Sequence, residues 1–166
     1  MKASPTLTTN LQAVLVDLIE LHVQGKQAHW NIVGTNFRDL HLQLDEIIDA
    51  ARGFADDLAE RMRALHALPD GRSSTVSKST ALAEFPKGLI NTKDAIERIV
   101  AALEAAVGTM RKVHDEVDEE DPTTADLLHE FIAKFEQYAW MVNAETMRAT
   151  ASVATPDPAA ASSPSE

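Results

Sequence analysis

The 166-residue sequence contains no cysteine. Disulfides, thiolate metal centres and cysteine nucleophiles are thereby excluded. Glycine is scarce, at 6 residues. The opening MKASPTLTTN lacks the apolar core of a signal peptide. The run VLVDLIELHV is interrupted by Asp17 and Glu20 before it reaches spanning length, so no membrane segment is expected. Basic residues are also in deficit: 15 against 26 acids leaves a net charge of −11. That balance argues against a basic nucleic-acid surface and for solubility or attraction of cations. What remains, at 45 % hydrophobic and 25 % charged, describes one domain large enough to bury a core. A cytoplasmic location is the expectation.

Apolar periodicity fills most of the chain. Leu11, Leu15, Leu18, Gly25 and Ile32 recur on a four-three seam that also takes in His22 and His29. Thr8, Thr9 and Asn10 offer N-caps, and Gly34 a stop. A second helix runs from Asn36 through Leu40, Leu44, Ile47, Ala51, Phe54, Leu58 and Leu65, and LPDGRSS ends it. A long connection follows, in which LAEFPKGLI reads as a short helix. The third helix carries Ile96, Val100, Leu103, Val107, Met110 and Val117. The fourth starts at DPTTADLL, with Asp121 or Thr123 as cap and Pro122 in the first turn, and buries Leu128, Phe131, Phe135, Tyr138 and Val142. No segment alternates like a strand. The expected fold is all-α: a four-helix bundle of ferritin-like connectivity, with a long crossover containing a short helix. The expected organisation is a flexible N-terminus over 1–8, the bundle over 9–150, and a disordered Pro/Ala/Ser-rich acidic tail over 151–166.

The chemistry concentrates on the second helix. His41–Asp45 and Asp56–Glu60 are both i, i+4 pairs, each able to act as a two-ligand claw. Asp45 and Asp56 are 11 positions apart, which returns to within about 20° of the same face but separates the claws by about 16 Å. One ion cannot touch both. Antiparallel pairing with a second copy solves this, because His41 and Asp45 of one chain then meet Asp56 and Glu60 of the other, twice per twofold dimer. His29, across the Gly34 turn, can join the first claw. A cysteine-free set of imidazoles and carboxylates suits iron, manganese or zinc, leaning to the harder ions. Taken singly, such pairs are more often surface ion pairs; two claws in phase beside His29 and Trp30 reverse that balance. His22 and His114 read as core or interface histidines, His66 as a surface one, and Asp126–His129 as a helix-end pair. No Glu-x-x-His pair is present, which argues against a centre built inside one bundle.

AHWNIVGTNFRDLHLQLDE followed by DDLAERMRAL resembles the signature of the Dps family, the mini-ferritins of bacteria, over roughly Leu11 to Arg148. The resemblance implies a ferroxidase centre shared across a dimer twofold, with His29, His41 and Asp45 from one chain and Asp56 and Glu60 from its partner as iron ligands. Trp30 matches the tryptophan beside that centre, which in the family can quench radicals. A hollow shell of twelve chains is implied, oxidising Fe²⁺ with hydrogen peroxide in preference to oxygen, storing Fe³⁺ mineral and suppressing oxidative damage. Asp121, Asp126 and Glu130 fall where the family has acidic pores, although each also suits a helix N-terminus. Glu46 and Asp49 can nucleate mineral or be plain solvated acids.

Many members bind DNA through a lysine-rich terminus. Here Lys2 alone precedes the first helix, and no Lys or Arg follows Arg148. Counterion release needs several cations, so DNA binding is expected to be weak or absent. The alternatives to an iron-oxidising storage enzyme are a DNA-compacting protein and, ranked last, a dinuclear-metal hydrolase.

Overall fold

The structure, a computed structural model, describes residues 2–150. It is all-α, apart from one very short strand pair. Helix α1 spans Pro5–Asn31 and α2 Phe37–Ala64; α4 spans Thr92–Glu120 and α5 Pro122–Ala144. The short loops make α1–α2 and α4–α5 two hairpins, which pack α1 on α4 and α2 on α5. The expected four-helix bundle with a long crossover is the fold observed. No helix among the described residues is long and apolar enough to cross a membrane.

The first helix begins earlier than its sequence suggests. Ser4, not Thr8, Thr9 or Asn10, is the N-cap: its Oγ accepts from Leu7 N at 3.0 Å, and Pro5 occupies the first turn. The Ser4 backbone N–H and hydroxyl in turn donate to the Glu120 carboxylate at the far end of α4. Residues 5–8, expected to be flexible, are therefore helical. The proposed tail, 151–166, lies outside the described residues.

The crossover also differs from expectation. Its short helix, α3, is Ser73–Ser79, not LAEFPKGLI. Pro86 cannot donate to a helix, and Gly88 takes a φ of 84°, so that stretch stays irregular. It ends in a strand, β2 (Ile90–Asn91), paired in parallel with β1 (Ile32–Val33) beside the α1–α2 turn. Asp17 anchors the other end. Buried to 1 % exposure, its carboxylate accepts from Thr80 Oγ1, Ala81 N and Thr109 Oγ1 at 2.8, 2.7 and 2.6 Å. It ties crossover, α1 and α4 together and satisfies its own lone pairs.

The core follows the apolar stripes: Leu11, Leu15 and Leu18 from α1, Leu44, Ile47 and Leu58 from α2, Leu103 and Met110 from α4, and Phe131 and Phe135 from α5. Phe54 stacks on Phe131 with ring centroids 4.2 Å apart. Gly25 lets α1 and α2 approach closely, since a Cβ there would sit 2.7 Å from Ile48 Cγ1.

Candidate metal centre

The α1–α2 hairpin carries the centre. Gly34, at φ 117°, and Asn36, in the left-handed region at φ 59°, reverse the chain within a few residues. The last turn of α1 then faces the first turns of α2. His29 comes from that last turn, where the negative end of the helix dipole favours a cation. His41 and Asp45 come from α2 at the i, i+4 spacing.

Ligand atoms of His29, His41 and Asp45 lie within 4.8 Å of one another. The two imidazoles stack with centroids 3.6 Å apart and planes inclined by 28°. His41 Nδ1 is 3.1 Å from the His29 carbonyl oxygen, which can only accept. In the neutral ring the proton then sits on Nδ1, and Nε2 keeps its lone pair. A backbone carbonyl on the far nitrogen is the usual partner of a metal-bound imidazole.

His29 shows the strongest sign of an ion. Both of its ring nitrogens are buried without a hydrogen-bond partner. Asp45 Oδ2 lies 3.0 Å from Nε2 without making a hydrogen bond to it. A buried polar atom with no partner is costly, and a cation between His29 and Asp45 would remove that cost. Lys26, three positions before His29, takes up part of the site at present: its Nζ is 2.6 Å from Asp45 Oδ1. The Lys26 hydrogen bond holds the Asp45 carboxyl below its ordinary value; desolvation opposes this, and the His29 ring adds to it.

Asp56 and Glu60 are exposed, near the other end of α2. The protomer thus brings together three of the five expected ligands and keeps two apart from them. Asp56 borders an open groove of about 680 Å³, lined also by Ile19, His22, Asp49, Arg52 and Pro69. In that groove burial, then Arg52 and Lys26, hold the His22 imidazolium below its ordinary value against Asp49. Trp30, which follows His29 in the sequence, is 70 % exposed.

The acids grouped for a pore separate in the structure. Asp126 and Glu130 are exposed one turn apart on α5. Asp121 is buried, and both of its oxygens accept from Arg61 Nη2, at 3.0 and 2.7 Å; Thr124 Oγ1 donates to it as well. Its carboxylate holds α2 against the α4–α5 corner instead of facing solvent. Sequence reasoning missed Lys26, Arg61 and the anchoring role of Asp17. Lys26 had a visible signal, lying one turn before His29; the other two act across long separations.

Residues 8–149 match the ferritin-like domain family. DNA protection during starvation protein 2 of Deinococcus radiodurans is 36 % identical over 134 residues, 81 % of this chain. The chain spans only 56 % of that relative's length. Dps92 from Deinococcus radiodurans superposes with a TM-score of 0.84 at 33 % identity, covering 87 % of this chain and 88 % of that one. Dps from Microbacterium arborescens, solved in a high iron form, gives 0.80 at 34 % identity, covering 87 % and 97 %. By sequence and by fold, the chain belongs to the Dps family of ferritin-like proteins.

Proposed function

We propose that the protein is a mini-ferritin ferroxidase that oxidises Fe²⁺ at centres between paired protomers and stores the Fe³⁺ product inside a closed shell; the observation that carries the reading is the half-built site, with His29, His41 and Asp45 gathered and the His29 nitrogens unpartnered. Asp56 and Glu60, one face and about 16 Å along the same helix, complete the site when a second copy packs antiparallel on it. The Asp56 groove and the exposed Trp30 and Trp140, at 70 % and 65 %, support burial of these faces in an assembly.

In this reading iron is the substrate. Imidazoles retain affinity for Fe²⁺, and hard anionic carboxylates favour Fe³⁺. Two Fe²⁺ each give one electron to hydrogen peroxide, whose O–O bond breaks to leave two hydroxides. Consuming peroxide and Fe²⁺ together limits radical damage, and Trp30 stands next to the centre to absorb stray oxidising equivalents. The exposed Asp126 and Glu130 would attract cations to a pore. A Dps dodecamer in the cytoplasm is the assembly this reading expects.

Anaerobic loading with Fe²⁺ and then a peroxide pulse tests it. Wild type should form Fe³⁺ rapidly, and His41→Ala and Asp56→Ala should not. A dimer containing one chain of each variant should regain about half of the sites, because one interface keeps both intact claws. Oxidation by wild type no faster than in buffer would overturn the proposal.

A further inference from the structure

A cavity of about 200 Å³ opens where the crossover meets α1 and α4. It exists because the side chains around it are small: Ala83 on the crossover, and Ala101, Ala102 and Ala105 on α4. From α1 it takes Gln24, roughly 140–160° round the helix from Lys26 and His29, so it lies apart from the metal centre. Gln24 is 8 % exposed, and its Nε2 donates to Glu20 Oε1 at 2.8 Å. A carboxylate only accepts, so this bond fixes the amide and leaves the carbonyl Oε1 as its open end. None of the described residues donates to that oxygen. Glu84, from the crossover, and Arg98, from α4, also line the cavity. Both are exposed, and neither forms an ion pair among the described residues.

We propose that this cavity binds a small apolar α-amino acid as its zwitterion. The planar fork of Arg98 suits the carboxylate. The ammonium has three N–H groups, enough for the Glu84 carboxylate and the Gln24 carbonyl together. An aliphatic side chain then leaves water for the alanine-lined space. The size sets a limit: 200 Å³ is below the roughly 300–1,000 Å³ of drug-sized sites, which rules out nucleotides and large cofactors. An acid or an amine alone would leave one of the two charges unmet. The crossover wall stands ready for a ligand. Asp17 holds Thr80 and Ala81, and Leu82 and Phe85 are buried in the core, so binding has little structure to order.

Titration calorimetry of the assembled protein with L-leucine tests the site, beside isocaproate, which lacks the ammonium, and isopentylamine, which lacks the carboxylate. One leucine per protomer is expected, with each analogue weaker by about 5-fold or more. Ala102→Leu fills the space and should abolish binding. Arg98→Gln should weaken leucine by about 5-fold and erase its advantage over the amine. Arg98 lies on the surface, so this variant keeps the fold even if Ala102→Leu does not. None of these residues is an iron ligand, and peroxide-driven Fe²⁺ oxidation should be unchanged in Arg98→Gln; the fate of the site is therefore separable from that of the ferroxidase reading. Absence of leucine binding, wild-type affinity in Arg98→Gln, or isocaproate binding as tightly as leucine would overturn the proposal.

Discussion

Lys26 and His29 flank one carboxylate: Lys26 Nζ lies 2.6 Å from Asp45 Oδ1, and His29 Nε2 lies 3.0 Å from Asp45 Oδ2. An incoming divalent ion therefore competes with an ammonium for its only local anionic ligand. Lys26→Met keeps the stem and removes the charge. A half-exposed pair of this kind is worth up to about 1 kcal/mol, so the variant should bind Zn²⁺ at this centre about 2- to 5-fold more tightly. Weaker or unchanged binding would show that Lys26 assists the ion instead.

Gly25 sets the spacing of the two helices that carry the ligands. Gly25→Ala forces a Cβ to 2.7 Å from Ile48 Cγ1. The overpacking should cost about 1–3 kcal/mol, outweighing the roughly 1 kcal/mol gained in helix propensity. Gly108 in α4 has open space around it, so Gly108→Ala should stabilise by about 0.5–1 kcal/mol. Denaturant melts of both variants check the contrast, and equal signs would refute it.

Asp17 accepts three hydrogen bonds in a buried position. Asp17→Ala strands those donors and should destabilise by about 3 kcal/mol or more. Limited proteolysis should then cut first within the crossover. Uniform cleavage, with an unaltered melt, would deny the clamp.

For Asp121, desolvation acts to raise the carboxyl, but the hydrogen bonds from Thr124 and Arg61 prevail and leave it below its ordinary value. A group depressed in the folded state stabilises above its unfolded value, near pH 4, and loses that contribution as pH falls through its folded value. Asp121→Asn should cost about 2–3 kcal/mol at neutral pH; the 25 % exposure of the Arg61 side chain keeps this below the roughly 3–5 kcal/mol of a fully buried pair. Thermal melts of wild type and variant should converge as the pH drops below about 4.

DNA retention in a gel shift should be slight at about 150 mM salt, given the net charge of −11. A complex that survives at that salt would require a basic surface on the folded bundle.

The legible parts of the molecule were those written in local periods. The core stripe of α2 and the His41–Asp45 pair follow from helical spacing alone, and so does the separation of Asp56 from Asp45. Contacts between distant residues left no such trace. Ser4 starts α1 because Glu120 receives it 116 positions away, and His114 finds His129 only once α4 and α5 fold back on each other. Asp121 looked like any acid at a helix start until Arg61 arrived from α2. Asp17 read simply as a break in an apolar run, because its three donors come from the crossover and α4.

The two-residue pairing of Ile32–Val33 with Ile90–Asn91, reinforced by Thr92 Oγ1 donating to the Thr35 carbonyl at 2.7 Å, gives the ligand-bearing turn an unusual place in the opening hierarchy of the fold. Most turns between helices exchange their amide hydrogens through local fraying. This one is stitched to the start of α4, so it opens only when the crossover releases it. Its amides should exchange at rates near those of the core, and the geometry of His29 and His41 should persist until the bundle itself comes apart.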